Sequence, residues 1–204
     1  MVSPEETLPT AGIRLTMRGR SISLQTPHYR LRSLRPSDAS ERYCEWFADE
    51  TTMAPLNMPT SRITLDELRA HIEEFDNKTR YLIGLFDKAT GIHFGVYLVD
   101  VLPKHRIAKF NAMLGEADFR GIGAGPETAA ALFDHLFNVR GIEKIAGQII
   151  VGNEASLIAA EKLGFVNEGR FRGEIISERD GLRLDQLTFG ILRDEWNARQ
   201  GRTK

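Results

Sequence analysis

An α/β (α+β) sandwich is the fold class this sequence predicts, and three observations carry the prediction. Strand-like segments, several of them alternating, recur along the chain. Helical stripes run between them, clearest at Ala129, Leu132, Phe133, Leu136 and Phe137, which repeat at i, i+3, i+4, i+7 and i+8. No linker, internal repeat or low-complexity tract divides the chain. A run of mixed strands with four helices buries its apolar faces as packed layers.

The elements follow in order. Residues 1–18 hold Pro, Glu, Thr and Gly without clear periodicity and are expected to form a loose arm, leaving 19–204 as one domain. Residues 29–34 alternate as a strand. Residues 37–49 are expected to be helical, with Ser37 or Asp38 as the cap. Thr64-Leu65-Asp66-Glu67 is a capping box opening a helix to about residue 76. Residues 81–86 and 92–101 read as strands joined by the turn Asp87-Lys88-Ala89-Thr90-Gly91, a hairpin. Residues 107–114 form another strand. A glycine loop and its helix, a strand at 142–150, a helix from Asn153 and strands near 165–176 and 183–192 complete the chain.

At 204 residues and 42% hydrophobic, the chain can bury a full core without staples. Its 27 basic and 28 acidic residues leave a net charge of −1, so no global basic field draws nucleic acid or an anionic membrane. No apolar run of about 18 residues is present, and no transmembrane helix is expected. The first residues lack an apolar signal core, so the cytoplasm is the expected location. The single Cys44 excludes an intramolecular disulfide and a cysteine-based zinc cage, and no metal is expected.

The strongest functional signal lies at residues 118–140. Arg120, Gly121, Gly123 and Gly125 make a glycine-rich loop, and Pro126 follows at the expected first helical position. Such a loop presents bare backbone N–H groups and the positive end of a helix dipole, an anion site suited to a pyrophosphate. The same glycines also serve a plain tight turn. No Gly-Lys-Ser/Thr follows, which excludes a Walker loop. The spacing R-x-x-G-x-G fits a different template better than a Rossmann fingerprint.

Further along come Asn153-Glu154-Ala155-Ser156, then Glu161-Lys162-Leu163-Gly164-Phe165, then Glu168-Gly169-Arg170. With the glycine loop before them, these motifs resemble the GNAT family of acyl-CoA-dependent N-acetyltransferases, most closely its RimJ/RimL-type branch. Pro36-Ser37-Asp38-Ala39 is similar to that branch's first strand–helix junction, and Asp194-Glu195-Trp196 to its C-terminal ending. The resemblance covers about residues 20–196. It implies a mixed, mostly antiparallel central sheet flanked by helices on both faces. It also implies acetyl-CoA as cosubstrate and direct attack by a primary amine in a ternary complex. The implied CoA-binding residues are Leu114, Arg120, Gly121, Ile122, Gly123, Ala124, Gly125, Asn153 and Ser156. By the same resemblance, the open edge at residues 111–115 takes the pantetheine amides, and one backbone N–H there polarises the thioester carbonyl.

Acetyl transfer needs a neutral amine, so a base or a water chain to one is expected. Ser156 is the candidate hydroxyl for the leaving thiolate; it also reads as the third residue of a helix capped by Asn153. Many family members carry a tyrosine four residues later, where this chain has Ala160. Many place a glutamate on the strand before the loop, where this chain has Lys109-Phe110-Asn111. By the resemblance, Glu174, within a residue or so of where RimL-like enzymes carry an active-site glutamate, is the first choice for the base, with an exposed strand carboxylate as the plain alternative. Glu116 is second. His93 and His105 read equally as surface or strand histidines. Asn111 is the candidate for orienting a water that leads to the base.

Tyr43, Trp46, Phe47 and the apolar loop at 53–58 could wall an acceptor pocket, although Trp46 also suits a helix core. The expected acceptor is a protein N-terminus or a small amine. The stretch W-x-x-D from Trp46 resembles members that acetylate amino sugars, so a nucleotide-sugar amine is an alternative. A non-catalytic acetyl-CoA-binding regulator is another. A homodimer is compatible with all of these.

Overall fold

The computed structural model describes residues 19–202, so the expected N-terminal arm lies outside the described residues. Eight strands form one sheet: β1 (Ser23–Gln25), β2 (Tyr29–Ser33), β3 (Arg80–Asp87), β4 (His93–Leu102), β5 (Ile107–Leu114), β6 (Lys144–Ile150), β7 (Val166–Ile176) and β8 (Arg183–Leu192). Their order is β1-β2-β3-β4-β5-β6-β8-β7. Every pairing is antiparallel except β5 with β6. That one parallel pair needs a crossover, and the helix α4 (Ala124–Asn138) supplies it.

The remaining helices are α1 (Glu41–Ala48), α2 (Glu50–Met53), α3 (Leu65–Glu73), α5 (Glu154–Leu163) and α6 (Arg193–Arg199). Strand alternation divides the core in two. On one face Tyr81, Ile83, Leu85, Tyr97 and Val99 pack with Leu132, Phe133 and Leu136 of α4, Leu163 of α5 and Trp196 of α6. On the other, Leu82, Phe86 and Val96 meet Tyr43, Trp46, Leu68 and Ile72 of α1 and α3. β3 is therefore buried on both sides, which is why it reads as a nearly unbroken apolar run. The mixed, mostly antiparallel sheet with helices on both faces matches the expected class.

Several local expectations change. The helix expected over 37–49 is a 3-10 turn, Pro36–Asp38, followed by α1 and α2. Asp38 caps neither helix. Its carboxylate takes the Arg32 guanidinium at 2.6 and 2.7 Å and reaches back to the Arg35 N–H at 2.7 Å, which fastens the start of the 3-10 turn. Ser40 caps α1 and Asp49 caps α2. The Thr64 capping box is present, but α3 stops at Glu73. α4 begins at Ala124, two residues before Pro126, with Gly123 as its cap. Pro126 still falls in the first turn, where its missing N–H is no loss. With α2 and α6 the described residues hold six α-helices, not four, and β1 is a strand the sequence pattern did not signal. No helix among the described residues is long and apolar enough to cross a membrane.

Candidate active site

The site begins where β5 and β6 part. They pair only from Ile107 with Lys144 to Lys109 with Ala146. At the last point of close approach a Cβ on Gly147 would lie 3.2 Å from the Phe110 carbonyl oxygen. Residues 111–114 pair with β4 alone. The Phe110 carbonyl faces β6, and strand backbone groups alternate sides, so those of Ala112 and Leu114 face the open gap. The Leu114 carbonyl is taken by Arg120 Nε at 3.0 Å. The N–H groups of Ala112 and Leu114 and the Ala112 carbonyl remain on the free edge.

The glycine loop follows. Gly121 and Gly123 hold φ of 76° and 93°, which only glycine adopts at little cost. Among the described residues, no backbone N–H from 121 to 125 donates a hydrogen bond. A Cβ at Gly121 or Gly123 would meet open space, and one at Gly125 would meet only Leu114 Cδ1 at 3.6 Å. Ile122 is 63% exposed, while Ala124 is buried at the first turn of α4. Tyr97 Oη donates to the Gly125 carbonyl at 2.7 Å and lies 2.6 Å from Thr128 Oγ1, which fixes that turn against β4.

The Arg120 side chain turns beneath this loop, not over its amides. Its guanidinium donates to Gly115 O at 3.0 Å, Thr52 Oγ1 at 2.7 Å and Thr51 Oγ1 at 3.2 Å. It ties the end of β5 to α2. Beside it, a Cβ on Gly115 would stand 1.9 Å from the Trp46 ring. Trp46 Nε1 donates to Glu116 Oε1 at 2.9 Å, and Arg42 grips the same carboxylate with Nε and Nη2. The Arg42 guanidinium holds Glu116 below the usual carboxylate range. Glu116, the second choice for the base, is therefore a tether for α1.

Trp46, only 4% exposed, and Tyr43 belong to the core instead of a pocket wall. His93 is enclosed by Tyr43, Trp46 and Phe86, and burial pushes its pKa down to about 4. His105 sits exposed in the turn Pro103–His105.

At the start of α5, Asn153 Oδ1 accepts the Ser156 N–H at 3.1 Å, the expected cap. Its Nδ2 also donates to the Pro55 carbonyl at 2.9 Å. The loop at 54–60 is held at its other side by Asn57. That side chain donates to the Ile176 carbonyl at 2.7 Å and accepts the Glu178 N–H at 2.9 Å. The Ser156 hydroxyl makes no hydrogen bond among the described residues and takes no part in capping.

Two cavities meet at Ser156. One, of about 510 Å³, runs from the glycine loop past Ala112 and Leu114 to Ser156. The other, of about 230 Å³, occupies the gap between β5 and β6. Ser156, Asn153, Pro55, Leu56, Phe110 and Ala112 line both. The smaller cavity passes through the sheet. Ile145 packs into the α4 side, so Gln148, three residues on, points to the opposite face. Gln186 lies opposite Ile150 on that same face, and Asn111 alternates with Phe110, whose ring meets Phe133. Asn111 thus lies on the sheet face opposite α4 and lines the smaller cavity but not the larger one. Gln148 and Gln186 join it there. Their facing depends on strand register, and only the polar break at Gln148 in an apolar strand hints at it in the sequence.

Glu174 is not brought to the site. The β7–β8 register shifts between Phe171 and Ile175. Within that bulge Gly173 has φ 57°, its N–H donates to Asp185 Oδ1 at 2.7 Å, and its carbonyl accepts from Arg183 at 2.7 Å. Glu174 is exposed beside it and lines neither cavity. No Asp, Glu or His lines either one. Among the described residues, no group of three or more His, Cys, Asp or Glu is placed to hold a metal ion.

Known proteins share this architecture. The ribosomal-protein-S5-alanine acetyltransferase from Vibrio fischeri superposes with a TM-score of 0.73 at 19% identity, covering 86% of this chain and 98% of that one. The spermidine N-acetyltransferase from Vibrio cholerae, solved with CoA and spermine, also gives 0.73 at 19% identity, covering 82% and 97%. At such identities the likeness is one of fold. The SPbeta prophage-derived uncharacterized N-acetyltransferase YokL of Bacillus subtilis (strain 168) is 28% identical over 138 residues, 67% of this chain and 68% of that protein. The family model for the acetyltransferase (GNAT) domain matches residues 28–166, from the first residues before β2 to the start of β7. Because that match takes in the glycine loop, the parted strands and the Asn153 helix together, this chain belongs to the GNAT acetyltransferase family.

Proposed function

We propose that the protein acetylates a primary amine of low basicity, a peptide N-terminus first among them, using acetyl-CoA in a ternary complex. One observation carries the reading: the Ser156 hydroxyl, free of structural bonds, stands where the two cavities meet. The larger cavity has the loop amides at 121–125 for a pyrophosphate and the Ala112–Leu114 edge for pantetheine amides. The smaller one gives an amine a path through the sheet to the same point. The nitrogen lone pair attacks the thioester carbonyl, the N–C bond forms, and the C–S bond breaks. A backbone N–H on the β5 edge polarises the carbonyl oxygen, and Ser156 donates to the departing thiolate.

The lack of a carboxylate or imidazole on either cavity bears on the acceptor. An α-amine with a pKa near 7.8 is about 14% neutral at pH 7, whereas a lysine-like amine near 10.4 is only about 0.04% neutral. Without an enzyme base, the first has the advantage by more than two orders of magnitude, and its proton leaves to water. The amino-sugar reading loses its support from the Trp46 stretch, since Trp46 is core and Asp49 caps α2. Measuring CoA release with an uncharged tripeptide amide, an amino sugar, spermidine and Nα-acetyl-lysine amide tests the proposal. Release with the tripeptide foremost is expected. Release with spermidine or the lysine amide alone would overturn the acceptor, and release with none would favour a non-catalytic CoA-binding role.

A further inference from the structure

The gap between β5 and β6 holds three carboxamides that nothing in the fold uses. Asn111, Gln148 and Gln186 all line the smaller cavity. None makes a side-chain hydrogen bond among the described residues, although each carboxamide offers two donor hydrogens and an acceptor oxygen. Gln148 pairs in register with Thr188 and Ile150 with Gln186, so the two glutamines are diagonal neighbours on one face. At such positions long side chains reach each other's surroundings. Asn111 faces them across the gap from β5. Their neighbours include Leu56, Ile150 and Phe189, and no charged side chain lines this cavity.

We infer that Gln148 and Gln186, with Asn111, are the residues that read the acceptor, by pairing with the first peptide group beyond the attacking amine. The inference rests on the acetyl-transfer reading above. A peptide group carries one N–H and one C=O, and a carboxamide complements both at once. Asn111 and Gln148 are exposed and Gln186 is half-buried, so all three carboxamides are free to exchange water for an entering peptide group. The cavity also selects against other amines. An ammonium group inside it finds no carboxylate to offset its charge; Glu50, Glu154, Glu178 and Asp180 line instead a neighbouring cavity, of about 720 Å³, that shares Pro55, Ile150 and Asn153 with it. A peptide's backbone is neutral, and only its terminal amine travels on to Ser156. These residues position and discriminate; the reacting atoms meet at Ser156 and the β5 edge.

The test is steady-state kinetics at saturating acetyl-CoA with an uncharged tripeptide amide and with spermidine as acceptors. Gln148→Leu and Gln186→Leu keep strand-compatible side chains of similar length. Each should raise KM for the tripeptide by about twofold to tenfold, the span of one net hydrogen bond, and leave kcat within about twofold. The CoA-induced rise in Tm should persist in both, which shows a folded protein with an intact cosubstrate cleft. Gln186→Glu should lower KM for spermidine. Tripeptide KM unchanged in both leucine variants, with the CoA shift retained, would overturn the inference while leaving acetyl transfer standing. No amine-dependent CoA release from the wild type with any acceptor would remove the acetyl-transfer reading, and this inference with it.

Discussion

The carboxamide of Asn153 ties Pro55 to the first turn of α5, its Nδ2 donating to the Pro55 carbonyl at 2.9 Å while its Oδ1 accepts the Ser156 N–H at 3.1 Å. One side chain thus sets both the helix start and the loop that covers the junction of the two cavities. The two roles separate by chemistry. Asn153→Asp keeps an acceptor for the Ser156 amide but has no donor for Pro55. It should stay close to wild type in Tm and change acceptor KM. Asn153→Ala should lose the cap as well, at a cost of about 1 kcal/mol. Thermal melts beside acceptor kinetics check both.

Ser156 is not a structural residue by its contacts. Ser156→Ala should therefore leave stability unchanged or raise it by a few tenths of a kcal/mol, since alanine is the better helix former. Turnover should fall by about tenfold to a thousandfold, with CoA affinity retained. Stability lost together with unaltered turnover would assign Ser156 to the helix alone.

The loop glycines divide by conformation. Gly125 lies in α4 with φ outside the left-handed region, and a Cβ there meets only Leu114 Cδ1 at 3.6 Å. Gly125→Ala should fold normally and gain about 0.5–1 kcal/mol. It should nevertheless weaken CoA binding tenfold or more by holding the phosphates off the amides. Gly123 has φ 93°, so Gly123→Val adds strain to the same blockage. Unchanged CoA affinity in folded Gly125→Ala, measured by calorimetry, would move the pyrophosphate elsewhere.

His93 makes the fold acid-sensitive. Its ring stacks 4.8 Å from Phe86 and lies 4.9 Å from Trp46, which in turn covers Gly115 at the root of the glycine loop. Burial lowers its pKa to about 4, from 6.5 in the unfolded chain. The unfolded chain therefore takes up a proton first. Stability contributed by the neutral ring is complete above about pH 6.5 and is lost as the pH falls toward 4, to a limit of about 3 kcal/mol. Urea melts across that window should show the slope in wild type and a shallower one in His93→Phe.

What the sequence disclosed was local. The glycine loop, the Thr64 capping box and the Asn153 cap each lie within a few consecutive residues, and each forms as its chemistry requires. Contacts across long stretches of chain were not legible. Arg120 was expected among the CoA-binding residues, but its guanidinium is held by Thr51 and Thr52, nearly 70 residues earlier. Glu116 read as a free carboxylate because its partners Arg42 and Trp46 sit on a distant helix. Glu174 was displaced by a bulge, and Gln148 and Gln186 acquire their shared face only through the β6–β8 register. Strand facing has period two, so one extra residue reverses it.

The most direct test of acetyl transfer without an enzyme base is the pH dependence of kcat/KM for CoA release, measured with two acceptors of different amine pKa. With a tripeptide amide the rate should climb about tenfold per pH unit and level near the α-amine's own pKa, about 7.7–8.0. With a lysine-like amine the same limb should continue upward toward about 10.4. A limb that levels at one pH whatever the acceptor would reveal a titrating base in the enzyme and contradict the assignment.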